Sequence, residues 1–175
     1  MMRRGRTRAA RRFAKCDRGA ALAEFALVLP LLVVMLGAVI EITRGVYQYH
    51  VVAKGVQDAA RFLSRREEVV EDGNCPPGGN WSTAEALARN LALTGSTSGS
   101  DYTMAHWNDP NTITVTVNCT SGSTMVSPLA SGAGATIPIV EVTARVPFND
   151  IGLLGFLGIE PLTISATHSE MGVGG

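Results

Sequence analysis

The sequence predicts an α+β protein, with one long N-terminal helix packed along its second half on a small antiparallel sheet. Two observations carry that reading. An apolar run from Ala20 to Ile40 passes without a break into a pattern of apolar residues spaced by three and four. Segments of strict apolar–polar alternation then fill the last third of the chain. A length of 175 residues allows one modest domain once the apolar run is set aside.

The chain opens on a basic segment. Eight of the 15 Lys and Arg fall within the first 18 residues, from Arg3 to Arg18. From Glu41 onward seven basic residues face thirteen acidic ones, a net −6 beneath an overall charge of zero. Arginine blocks can neutralise phosphates, but no nucleic-acid-reading motif follows and no aromatics are interleaved with them. No nucleic-acid partner is expected. The arginines fit the cytoplasmic flank of a membrane segment.

Ala20–Ile40 is 21 residues with Glu24 as its single charge. As a helix it spans about 30 Å, one hydrocarbon core. A removable secretory signal has a shorter apolar stretch and a small-residue cleavage site after it. Here Leu36-Gly-Ala-Val-Ile40 leads into Glu41-Ile-Thr-Arg44 with no such site, which predicts a retained anchor. Pro30 suits a membrane helix, where a kink is tolerated. The charge asymmetry places the N-terminus in the cytoplasm and residues beyond about 45 outside it. The expected divisions are a basic leader over 1–19, a transmembrane helix over 20–40, its amphipathic continuation over 41–70 and an exported α+β domain over 71–175.

Ile42, Val46, Tyr49, Val52, Val56, Ala59 and Leu63 form the expected apolar stripe of the continuation, with Gln48, Lys54, Asp58, Arg61 and Arg65 largely off it. One helix from Ala20 to Val69 results. Gly45 and Gly55 each weaken it by about 1 kcal/mol relative to alanine, which packing has to offset. The Pro/Gly cluster Asp72–Asn80 breaks the chain. Ser82-Thr-Ala-Glu85 reads as a capping box opening a short helix to about Leu93, stopped at Gly95, and Gly95–Ser100 is loop. Tyr102–Trp107 is a candidate edge strand. Three alternating sets then read as half-buried strands. They are Ile113, Val115, Val117 and Cys119; Val140, Val142, Ala144, Val146 and Phe148; and Leu162, Ile164, Ala166 and His168. Asn149–Ile159, three glycines among apolar residues, is a hydrophobic connection or a short helix, and if exposed a patch for a partner or the bilayer surface.

The chemistry-bearing residues point to structure rather than catalysis. Cys75 and Cys119 lie beyond the anchor, where a disulfide can form, while Cys16 stays on the reducing side. A Cys75–Cys119 bridge closes a 44-residue span, worth about 4 kcal/mol in the chain-entropy model. His50, His106 and His168 match no compact metal-ligand spacing, so no metal or cofactor is expected. No nucleophile elbow or phosphate loop occurs, and no enzyme is expected. Glu24 stands apart. It either snorkels to the headgroups or awaits a cation, such as the α-amine that cleavage after Gly19 would create at Ala20 of a neighbouring chain. The junction favours the second.

A basic leader, Gly19, four residues, then Glu24-Phe25 and an apolar helix resembles the prepilin-peptidase recognition pattern of type IV filament subunits. The string Arg18-Gly-Ala-Ala-Leu-Ala-Glu-Phe-Ala-Leu-Val-Leu-Pro-Leu-Leu32, with Glu41-Ile-Thr-Arg44 and Ala59-Ala-Arg61, is similar to the TadE-like pilus-assembly proteins of tight-adherence (Tad/Flp) systems. The likeness is specific over roughly residues 15–65. It implies a pilin-like fold and a minor pseudopilin of the inner membrane. The implied processing site is Gly19–Ala20, and Glu24 and Phe25 are the implied inter-subunit contacts. The implied partners are the prepilin peptidase, other pseudopilins and the pilus-assembly machinery. Ala20 after the glycine, and Phe25 where major Flp pilins carry Tyr, depart from the commonest pattern. The competing reading is an uncleaved bitopic envelope protein whose exported domain binds a partner unrelated to pili.

Overall fold

The computed structural model describes residues 17–66, 69, 78–121 and 136–172. The basic leader before Asp17, Cys75 and most of the break after Arg66 lie outside the described residues. The chain divides between Ile42 and Thr43 into two compact units.

In the first unit the described residues belong to α1, a helix over Asp17–Ser64 that continues into the second unit. It already includes the three residues before the expected Ala20. Pro30 sits within it. Nearly every side chain from Gly19 to Ile40 is exposed.

The second unit holds the rest of α1, helix α2 (Trp81–Thr94), a 3₁₀ turn (Pro110–Thr112), strands β1 (Ile113–Ser121) and β2 (Thr136–Pro147), the four-residue helix α3 (Leu153–Phe156) and β3 (Thr163–Met171). The strands form one antiparallel sheet in the order β1-β2-β3. Its register sets Val115 against Val142 and Val117 against Val140, and Ala144 against Ala166. Together with the long apolar helix this is the expected α+β arrangement.

Alternation builds the core. Val140, Val142, Ala144 and Val146 of the central strand are fully buried, joined by Ile113 and Ala166 from its neighbours. Against them lie Val52, Val56, Ala59, Ala60 and Leu63 of α1 and an alanine face, Ala84, Ala88 and Ala92, of α2. The opposite sheet face is polar, with the Thr143 and Thr167 hydroxyls 2.9 Å apart. Trp107 fills the space beside α2, its indole N–H donating to the Thr112 hydroxyl at 3.0 Å.

Several expectations need correction. The helix stops at Ser64 rather than Val69. There the Ser64 hydroxyl donates to the Arg61 carbonyl at 3.0 Å, and the Arg66 amide bonds back to Leu63, three residues away. Both bonds divert the helical ladder. The capping box is absent. Helix α2 begins at Trp81, the Asn80 carbonyl takes the first helical bonds, and Glu85 instead pairs with Arg89 one turn on. Gly95 does end it, at φ 76° with its amide on the Leu91 carbonyl. Tyr102–Trp107 is no strand. Met104 and Trp107 are buried at a spacing of three, joined by a Trp107 N–H to Met104 carbonyl bond, a turn geometry incompatible with an extended edge. Phe148 and Leu162 fall just outside β2 and β3, and their backbones bond to each other at the base of the connection.

Candidate functional site

The first half of α1 carries the residues singled out in the sequence. Gly19, Ala20, Glu24 and Phe25 are all exposed on it. Ala20 and Glu24 are four residues apart and so share one helix face, with their Cα atoms about 6 Å apart along the axis. Among the described residues no cation pairs with Glu24. A Cβ added at Gly19 would meet nothing, so space on this helix does not require glycine there. The surrounding surface is apolar and uncovered, with Leu22 70%, Leu27 81% and Leu31 61% exposed. Mean hydropathy over the richest stretch of this helix is 2.6. A helix that is apolar all round with no protein over it fits a single-pass membrane span.

The stripe predicted for residues 42–63 is correct from Val52 on and wrong before it. Ile42, Val46 and Tyr49 are exposed, while Gln48 is buried. The inward face runs instead through Gly45, Gln48, Val52, Gly55, Val56, Ala59 and Leu63. Gln48 supplies the reason. Its side-chain N–H donates to the Asn149 carbonyl at 3.0 Å, and its carbonyl accepts the Asn149 amide at 3.1 Å. Arg44 adds a bond to the same carbonyl at 3.1 Å. A primary amide can match a peptide group donor for acceptor, so Gln48 mimics one rung of a ladder and fixes the end of β2 to α1. Gly45 lies beneath the Phe148 ring. A signal was present in the sequence. Gly45, Gln48, Val52, Gly55 and Ala59 keep a three-and-four rhythm that a purely apolar template skips.

Gly55 is also explained. A Cβ there would lie 2.5 Å from the Ala92 carbonyl oxygen and 3.0 Å from the Trp107 ring. The glycine lets α2 and Trp107 approach α1, so its low helix propensity comes with a packing gain.

The remaining candidates are dispersed. His50 meets Tyr49 edge-on, His106 sits in the turn before Trp107, and His168 on β3 bonds Glu170 at 2.8 Å. Among the described residues no three His, Cys, Asp or Glu gather as metal ligands. The His168 bond lowers the Glu170 carboxyl pKa; desolvation opposes it, and Arg61 at 3.3 Å adds to the lowering. Cys119 is exposed on β1 opposite Pro138 and is not a free thiol; Cys75 lies outside the described residues.

Residues 19–61 match the family model for TadE-like proteins. No curated protein and no solved structure matches the chain. The match opens on Gly19, the glycine at the end of the basic segment, and covers both the uncovered half of α1 and its Gln48 and Gly55 contacts. The TadE-like family carries with it a setting of membrane-associated pilus assembly. The chain is thus similar to TadE-like proteins over residues 19–61.

Proposed function

We propose that the chain is a membrane-anchored pseudopilin that acts in assembly or initiation of a Tad/Flp-type pilus. The observation that carries this is the coincidence of three boundaries. The arginine-rich segment ends at Arg18, the family match begins at Gly19 and the apolar run begins at Ala20. On this reading the leader stays in the cytoplasm, residues 20–40 cross the inner membrane, and the sheet-bearing unit is exported. A prepilin peptidase hydrolyses the Gly19–Ala20 peptide. The new α-amine then pairs with Glu24 of an adjacent subunit. A carboxylate costs up to about 2.5–3.5 kcal/mol at the bilayer centre and less near its edge, and a cation beside it offsets that penalty. Phe25 supplies apolar contact beside the pair. The protein is a substrate and a structural part, and itself catalyses nothing. A Cys75–Cys119 bridge in the oxidising compartment ties the break after α1 to β1.

Mass spectrometry of the chain extracted from membranes tests this directly. The expected mass begins at Ala20, and Gly19→Leu leaves the precursor larger by the 19-residue leader. An intact N-terminus in the native protein, in cells that process their other prepilins, rejects the pseudopilin reading. One observation favours the uncleaved bitopic alternative. Residues 17–20 are already helical in α1, so the Gly19–Ala20 peptide has to unwind before a peptidase can hold it extended.

A further inference from the structure

The connection between β2 and β3 exposes apolar surface that the core does not use. From residue 78 onward, the large hydrophobic side chains left exposed among the described residues are Tyr102, Met171 and five from this one segment. Those five are Ile151, Phe156, Leu157, Ile159 and Leu162. Phe156 is 83% exposed. The segment is nonetheless well built. Gly152 at φ 90° enters α3 and Gly158 at φ 71° leaves it. The Ile159 amide reaches back to the Leu154 carbonyl at 2.9 Å and the Gly158 amide to Gly155 at 3.1 Å. That pair of bonds is the Schellman closure, which here holds Phe156 and Leu157 outward on an ordered turn.

Its base is fixed to a particular part of α1. Asn149 is held by Gln48 and Arg44, Phe148 covers Gly45, and the Phe148 amide closes the connection on the Leu162 carbonyl at 2.8 Å. Arg44 is four residues, one helical turn, after Ile40, the end of the apolar run. The connection is therefore tied to the stretch of chain that leaves the proposed bilayer. Its apolar composition, with Asp150 and Glu160 confined to its two ends, continues the character of that run.

We propose that Ile151–Leu162 is a second membrane contact, in which Phe156, Leu157 and Ile159 insert into the interfacial layer of the phospholipid bilayer. This rests on the membrane-anchored reading above. Aromatic and aliphatic side chains on a short amphiphilic turn gain by leaving water at that depth while their backbone stays near the headgroups. The contact supplies a second point of attachment, which restrains rotation of the exported unit about the single anchor.

Full-length protein in phosphatidylcholine vesicles, with one tryptophan added at a time, tests the proposal. Phe156→Trp probes the connection and Val33→Trp the anchor. Asn118→Trp is the control, because Asn118 pairs with Ile139, eight residues along β2 from Pro147 and about 25 Å away. Quenching of the added emission by shallow nitroxide-labelled phosphatidylcholine is compared with quenching by iodide, and the emission of buried Trp107 reports folding. The expected result is roughly twofold quenching of the 156 probe by the labelled lipid, protection from iodide, and the reverse at 118. Lipid quenching at 33 with iodide quenching at 156 overturns the membrane contact and leaves the anchor standing. Iodide quenching at both 33 and 156 rejects the anchor and the contact with it. Protection of 156 from both quenchers means that protein covers the patch, which also overturns the proposal.

Discussion

From Leu22 to Ile40, α1 leaves its large side chains uncovered, while from Val52 to Leu63 it buries Val52, Val56, Ala59, Ala60 and Leu63 completely. Both stretches are apolar and both are helical, so neither composition nor propensity separates them. What differs is periodicity. The first stretch is apolar on every face. The second confines its apolar residues to one face and places Lys54 and Asp58, a 2.7 Å pair, on the other. A surface apolar all round has no protein solution in a monomer of this size, and lipid is the solvent that suits it. A one-faced surface has the sheet and α2.

Substitutions that are chemically alike but fall in the two stretches should therefore part company. The largest effect is expected for Leu63→Ala, which opens a cavity and lowers the stability of the sheet-bearing unit by about 2–5 kcal/mol. The matching Leu31→Ala should leave the denaturation midpoint in detergent where it was. Chemical denaturation followed by Trp107 fluorescence measures both, and equal losses would break the contrast.

Glycines sharpen the comparison next. Gly55→Ala drives a methyl group into the Ala92 carbonyl and should destabilise by about 1–3 kcal/mol. Gly45→Ala meets the Phe148 ring at an ordinary 3.6 Å and should be neutral or stabilising by up to about 1 kcal/mol. The two signs, read by the same denaturation curves, distinguish close backbone approach from helix propensity. Gln48→Ala sits lower in the range, at about 1 kcal/mol or slightly more, because the Asn149 amide and carbonyl lose their partner. Faster hydrogen exchange at Asn149 and Phe148 should accompany it.

The smallest effect concerns Glu170. Its carboxyl is lowered in the folded state, first by the His168 hydrogen bond and then by Arg61. A depressed carboxylate stabilises fully above its unfolded pKa, and that contribution disappears as pH falls through the lowered folded value. Glu170→Gln should accordingly lower stability slightly at neutral pH and change little in strong acid, which flattens the acid limb of the stability profile. An unchanged acid limb would remove Glu170 from the account.

Much of this was legible because one signal dominated each element. Strict alternation located the inward faces of β1, β2 and β3, since a strand with one buried face tolerates no slip. Gly95 marked the end of α2 because its positive φ is a backbone requirement. The apolar run and the Gly19–Glu24 spacing were likewise plain, and they coincide with the start of the family match. What escaped was settled by partners distant in sequence. Gln48 is polar and looked like surface until Asn149, 101 residues away, offered a peptide group to match it. Gly55 looked like a weakness until the Ala92 carbonyl appeared against it. Ser82-Thr-Ala-Glu85 had the composition of a capping box, but Asn80 and the Glu85–Arg89 pair satisfied those groups first. Tyr102–Trp107 had aromatic strand composition, and burial of Met104 and Trp107 three apart wound it into a turn.

The claim beneath all of this is that lipid surrounds residues 20–40. Washing membranes that contain the full-length chain in alkaline carbonate tests it most directly. The account predicts that the chain stays in the membrane pellet and is released only by detergent. Its recovery in the carbonate supernatant as a soluble monomer would contradict the account.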